Sequence, residues 1–220
     1  MSKLSKSVDA CLSKMSAIGG TEKGAFGEKA VFTICEEFYQ REGGILYHSY
    51  SYKTDPTKEG NIKRGEQGNL FIENLSGSTE IDVLLVTKNK VFPIEVKAYK
   101  AKEIVLADDG ISGCFKTDKS PVHQNEMHMR HLYPTIFRGL PDGETRYVVP
   151  VVVFVDKCKV VDKRSKQQKD YIKVITLNML KKFIHDNNAP LEYTIDLRLM
   201  DKLLKEICIS SEKYLPYREV

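Results

Sequence analysis

The chain has 220 residues, 41% hydrophobic and 29% charged, with a formal net charge of +4. This is an ordinary soluble globular composition, one domain with appendages or at most two small ones, able to bury a core without disulfides or metals. Its five cysteines are scattered and contain no C-x-x-C pair, which excludes a disulfide framework or zinc site and points to reduced thiols in the cytoplasm. The mild positive charge permits a nucleic-acid partner without arguing for one. No continuous apolar run follows Lys3 and Lys6, so a signal peptide is not expected. No stretch approaches the ~18 apolar residues of a membrane span, so no membrane partner is expected.

Leu4, Val8, Cys11, Leu12, Met15 and Ile18 recur at spacing three and four. They predict an amphipathic helix over residues 2–18 that Gly19 and Gly20 stop. Such a helix either docks on a partner, a second copy included, or packs on its own domain. A second helix is expected from about residue 21 to 41, with Thr21 as its N-cap and Val31, Ile34, Cys35 and Phe38 as its apolar stripe. At about 100° per residue, Glu28 falls inside that stripe, an acid facing the core. Gly24 and Gly27 sit beside it. Each costs roughly 1 kcal/mol against alanine in a helix, and the pair suggests close approach of another backbone.

Residues 45–52 read as a strand with Tyr47, Tyr50 and Tyr52. Residues 53–68 are polar, glycine-rich and aperiodic, a long loop. There Lys53, Lys58, Lys63 and Arg64 either meet phosphates or stand in solvent. A short strand is expected over 69–73, before a turn at Ser76, Gly77 and Ser78. Residues 80–97 hold two apolar runs, read as buried strands, with a break at Lys88, Asn89 and Lys90. Strands over 103–107 and 111–117 join at Asp108, Asp109 and Gly110, a hairpin signal. Ser120 and Pro121 open a helix to about residue 137 that bears Gln124, His128 and His131 on one face. The two histidines read as surface or packing residues in preference to phosphate contacts. Residues 148–155 are a near-continuous apolar run, a buried central strand. Residues 156–173 are the densest basic segment, in which Lys163, Arg164 and Lys166 face either a nucleic-acid backbone or solvent. A short strand at 171–175 and helices at about 177–186 and 195–209 close the chain.

The anomaly lies in the 80–97 hairpin, where Asp82, Glu95 and Lys97 interrupt apolar runs. Charges inside buried strands are costly unless paired. If the connection has an even number of residues, Asp82 faces Glu95 and Lys97 shares their face, with Ile81, Val83, Ile94 and Val96 on the other side. Two adjacent carboxylates repel each other unless a divalent cation sits between them. Hard oxygens suit Mg²⁺ or Mn²⁺, with the Val96 carbonyl and waters completing the shell. The lysine would orient the attacking water or neutralise phosphorane charge. The competing reading is a buried salt bridge of Lys97 with Glu80 or Glu95.

Taken together, Gly24-x-x-Gly27-Glu28 on a helix, Glu80-Ile-Asp82, Ile94-Glu95-Val-Lys97 and Ser120-Pro-x-x-Gln124-Asn125 occur in an order that resembles the nuclease-related (NERD) domain. That family is a branch of the PD-(D/E)xK nuclease superfamily, and the resemblance spans about residues 20–155. It departs from the family in Ser120, where asparagine often stands, and in its longer 53–68 loop. The resemblance implies an α/β fold, a mixed central sheet flanked by helices around a restriction-endonuclease-like core. The core is expected over 21–175, between the N-terminal docking or dimerisation helix (1–20) and a C-terminal helical extension packed on it (176–220). The resemblance also makes Asp82 and Glu95 the metal ligands, Lys97 the catalytic lysine, Glu28 a helix acid that supports the metal directly or through water, and Gln124 a site-facing glutamine. The function expected is Mg²⁺- or Mn²⁺-dependent hydrolysis of nucleic-acid phosphodiesters, with DNA as the substrate and an endonuclease or nickase as the form. The alternative is an inactive module that binds nucleic acid or a partner on the same fold. A homodimer would pair two sites.

Overall fold

A computed structural model describes residues 20–54, 62–64, 70–72, 78–99, 101–113, 120–155 and 158–218. The helix expected over 2–18 lies outside them, as does most of the 53–68 loop. Helix α1 (Gly20–Glu42) leads into β1 (Gly44–Lys53). Gly43 and Gly44 make that junction with φ of 72° and 119°, and a Cβ on Gly44 would lie 2.1 Å from the Val86 carbonyl oxygen. β2 (Ile62–Arg64) and β3 (Leu70–Ile72) pair as a small antiparallel ribbon. β4 (Ser78–Val86) and β5 (Val91–Lys97) follow, then β6 (Glu103–Ala107) and β7 (Gly110–Ser112). Next come α2 (Pro121–Ile136), β8 (Val151–Phe154), β9 (Lys159–Asp162), α3 (Lys166–Tyr171) and β10 (Lys173–Thr176). The described chain closes with α4 (Leu177–Asn187), α5 (Leu197–Ile207), β11 (Cys208–Ser210) and β12 (Lys213–Arg218).

The central sheet runs β10-β8-β5-β4-β1-β11, with β12 also on β1. β10, β8 and β5 are parallel, while β5-β4, β4-β1 and the C-terminal strands on β1 are antiparallel. The fold is therefore α/β with a mixed central sheet flanked by helices. On one face α1 and α4 cover Val83, Leu85, Ile94, Val96 and Val153. The stripe expected on α1 is buried there as Val31, Ile34, Cys35 and Phe38. On the other face α2 and α5 cover Ile81, Leu84 and Val86 through Leu132, Ile136, Met200 and Leu204. A separate sheet, β7-β6-β9, packs Ile104 and Leu106 against Val122, Val152 and Phe154.

Two stretches fold differently from their sequence reading. The basic segment after residue 156 is not a single charged connection, because it supplies β9 parallel to β6 and then α3, so that β10 starts at Lys173. The segment after 176 is not wholly helical either. β11 and β12 run along β1 and complete the sheet's edge.

Candidate active site

The β4-β5 connection decides whether Asp82 and Glu95 face each other. Val83 pairs with Ile94, Leu84 with Pro93, Leu85 with Phe92 and Val86 with Val91. Four residues, 87–90, therefore join the strands, an even number. The Thr87 N–H closes the turn on the Lys90 carbonyl at 2.8 Å, and Thr87 Oγ1 accepts from the Asn89 and Lys90 N–H groups. The next pair in this register is Asp82 with Glu95. Here the ladder stops, and Asp82 Oδ2 accepts the Val96 N–H at 2.6 Å in place of a backbone carbonyl.

A kink in the two neighbouring strands accompanies that change. β1 and β4 pair from Ile45-Val86 to Lys53-Ser78, and Ser49 lies opposite Asp82 in the register. Ser49 has φ of 52°, in the left-handed region that non-glycine residues seldom adopt. Side-chain alternation shifts on both strands there. Tyr47 and Tyr50 both face α2 and α5, as do Leu84 and Ile81. Ile81 is thus on the opposite face from Val83, Ile94 and Val96, and not on the same side as regular alternation predicts.

Glu95 is 1% exposed and surrounded by cationic and hydrogen-bonding groups. Lys97 Nζ lies 2.5 Å from its Oε1, at an angle that leaves Oε1 without a directed hydrogen bond. His128 Nε2, from α2, lies 3.2 Å from Oε2. The other ring nitrogen of His128 is 2.9 Å from Thr79 Oγ1. Lys97 keeps 22% of its side chain exposed, so its amine can reach a bound molecule. The Glu95–Lys97 bridge is the salt bridge that the sequence offers as the alternative to a metal site.

Glu28 projects from α1 toward the same acids. Partial burial pushes its carboxyl above the usual range, helped by the charges of Glu80, Glu212 and Glu95 and opposed by Lys97. Asp82 is pushed up further, first by burial and then by the charge of Glu95, with Glu28 adding; the Val96 N–H and Lys97 oppose. Glu28, Asp82, Glu95 and Lys97 therefore share one electrostatic environment. Gln124 is half-buried on the first turn of α2, one turn before His128.

The basic residues divide. Lys53 is exposed at the end of β1, paired with Ser78 at the start of β4, on the strand that leads to Asp82. Lys63 and Arg64 lie in β2. Lys163 and Lys166 are exposed beside the Asp108 turn that follows β6. Arg164 is not available to phosphate. It is 3% exposed, and its guanidinium donates to both Asp162 oxygens and to the Gln168 and Ile172 carbonyls. His128, expected from the sequence as a surface or packing residue on the Gln124 face, and Thr79 also line the site. The position of His128 one turn after Gln124 on an inward face is the signal that could have found it, whereas Thr79 carries none.

Among the described residues, no three His, Cys, Asp or Glu side chains form a ready-made metal cluster. What the site offers is two mutually repelling carboxylates, Glu95 buried and Asp82 half-buried, with Glu95 Oε1 lacking a directed bond. The Val96 carbonyl joins them. Lys97 O bonds toward β8, accepting from Val155 N, so strand alternation turns the Val96 N–H and C=O toward Asp82. One or two carboxylates plus waters is the donor set that Mg²⁺ uses, so these residues fit the cation.

The model of the family described as "Nuclease-related domain" matches residues 23–155, more than half of the chain. No curated protein matches. Among solved structures, the chain is similar to the crystal structure of a protein of unknown function, AF1548, at 12% identity with a TM-score of 0.36, covering 81% of this chain and 80% of that one. No helix among the described residues is long and apolar enough to cross a membrane.

Proposed function

The chain belongs to the nuclease-related domain family, and from that premise we propose that it is a divalent-metal-dependent nuclease that hydrolyses nucleic-acid phosphodiesters, with DNA as the first substrate to test. The observation that carries the reading is the end of the β4-β5 ladder, where the Asp82 carboxylate turns onto the Val96 N–H beside Glu95. Asp82, Glu95 and the Val96 carbonyl would hold Mg²⁺ or Mn²⁺, with Glu28 supporting it directly or through water. When bound, such a cation lowers the pKa of its water and offsets charge on the phosphoryl oxygens. The protein's own part is positional. Asp82 and Glu95 give the cation its place, and their repulsion is relieved on binding. Lys97, held by Glu95 and open to solvent on one side, orients the attacking water or binds a non-bridging phosphate oxygen. Gln124, half-buried at the start of α2, is the candidate for contact with the nucleic-acid strand.

The test is cleavage of supercoiled, linear, single-stranded and branched DNA, and of RNA, with and without Mn²⁺. Asp82→Ala should abolish cutting, and undiminished cutting by that variant would sink the assignment. A second reading has its own support. Lys97 Nζ stands on Glu95 Oε1, where a cation would bind. In a non-cleaving module on the same fold this bridge would be permanent, and calorimetry would detect no Mn²⁺ site for Glu95→Ala to remove.

A further inference from the structure

We propose that His128 is a positioning residue that presents the Glu95 carboxylate to the cation. The inference rests on the nuclease reading, since it takes Glu95 as a ligand. The ring is buried, 4% exposed, between Glu95 and Thr79. A carboxylate oxygen only accepts, so the 3.2 Å contact to Glu95 Oε2 requires a proton on Nε2. The Thr79 hydroxyl suits this whatever the state of Nδ1. It donates to a bare nitrogen and accepts from a protonated one. Nε2 therefore remains the donor to Glu95 in either form of the ring.

The turn of α2 that carries this ring is itself fixed. The Tyr52 hydroxyl donates to the His128 carbonyl at 2.9 Å. Asn125, one turn earlier, donates to the Val151 carbonyl at 2.8 Å. These bonds tie the helix to β1 and β8 while the ring reaches β4 and β5. Glutamate χ3 is a broad, soft torsion. Without His128 nothing else described would hold Oε2, and the carboxylate could turn both oxygens toward Lys97. With it, Oε2 is committed to α2 and Oε1 stays on the Lys97 side as the oxygen to be shared with a cation. Hydrogen-bonding partners of metal-ligating carboxylates typically contribute 10–100-fold to metal affinity or activity.

The experiment uses the full chain, with Mn²⁺ as the probe, in calorimetry and in cleavage assays run across Mn²⁺ concentration. His128→Ala should weaken Mn²⁺ binding about 10–100-fold and move the metal dependence of cleavage by the same factor. Rate should return at saturating Mn²⁺. His128→Gln, which keeps an N–H donor, should recover most of the affinity, and Thr79→Val should show a smaller loss of the same sign. Nitrogen-15 NMR of histidine-labelled protein should show His128 Nε2 protonated, which decides the matter independently if His128→Ala does not fold. Folded His128→Ala with unchanged Mn²⁺ affinity, or with a lower rate and unchanged metal dependence, overturns the inference, as does a bare Nε2. Wild-type protein that neither binds Mn²⁺ nor cuts overturns the nuclease reading itself and this inference with it.

Discussion

Asp82 concentrates the electrostatic cost of the site. Its carboxyl is pushed up to about 8, first by burial and then by the charge on Glu95. The folded chain thus holds a proton there that the unfolded chain has already released. Linkage then fixes the sign: stability is full below the ordinary carboxylate pKa and falls as pH rises toward 8. Glu28 adds to the loss in the same direction. Metal-free protein should melt progressively lower from pH 5 to pH 8.5. Asp82→Asn should flatten that slope, and Mg²⁺ should restore the wild-type melting temperature at the alkaline end. A slope unchanged in Asp82→Asn would mean the burden lies elsewhere. Arg164 carries a different prediction. Removing its buried guanidinium strands Asp162 and two carbonyls, so Arg164→Ala should cost about 3 kcal/mol in urea unfolding. Exposed Lys163→Ala should stay within about 0.5 kcal/mol. Asp82, Glu95, Lys97 and Glu28 were legible in the sequence because ionisable groups in apolar runs break a strong rule. Arg164 was not, because it sits in a run of charged residues and its neighbours Lys163 and Lys166 are exposed. His128 was not either, because a histidine on an inward helix face serves equally for packing.

At the scale of elements, the hairpin register was legible only as a condition. The sequence showed two strands and a polar break, and parity hung on whether residues 87 and 90 belonged to the turn. The Thr87 hydroxyl decides it by taking two turn N–H groups. The kink at Ser49 did leave a trace. Tyr47, Tyr50 and Tyr52 are spaced three and then two, so no regular strand could bury all three on one face; all are buried together. The glycine pair on α1 was half legible. A Cβ on Gly27 would lie 2.7 Å from Val155 Cγ2, whereas one on Gly24 would meet nothing nearer than Glu28 Oε1 at 4.0 Å. Only Gly27 marks a close approach, and it is to a side chain at the end of β8. Gly27→Ala should therefore destabilise by about 1–3 kcal/mol through overpacking. Gly24→Ala should be neutral or stabilising by up to roughly 1 kcal/mol from helix propensity. Denaturant unfolding of the two single variants checks both, and equal effects would refute the assignment.

For the whole molecule, the residues that hold the site depend on a strand the sequence reading did not anticipate. β1 supports β4 along nearly its whole length, and β1 would be a ten-residue open edge without the chain after Ile207. β12 covers the first half of that edge, from Gly44-Arg218 to His48-Lys213, and β11 pairs with Ser51 and Tyr52 further along. The cover is fastened beyond its ladder. Tyr214 stacks on Tyr47 with centroids 4.5 Å apart, the Tyr39 hydroxyl donates to the Pro216 carbonyl at 2.8 Å, and Lys213 Nζ reaches Glu36 at 2.6 Å. The sequence hid this because the stretch is short, charged at both ends and interrupted by Pro216, a composition that argues against a central strand. The same features suit an outer strand, since proline is tolerated at a sheet edge and charges discourage further pairing. An uncovered β1 would instead present a long unpaired row of N–H and C=O groups beside the aromatic ring of Tyr47, a template for pairing with another chain. Truncation after Ile207 should give larger assemblies than the full chain by light scattering, and a lower melting temperature, although every candidate site residue is retained. Tyr214→Ala in the full chain should lower the melting temperature without assembly, because the edge stays paired. A truncated chain with the size and melting temperature of the full one would show that β1 holds the Asp82 strand in place unaided.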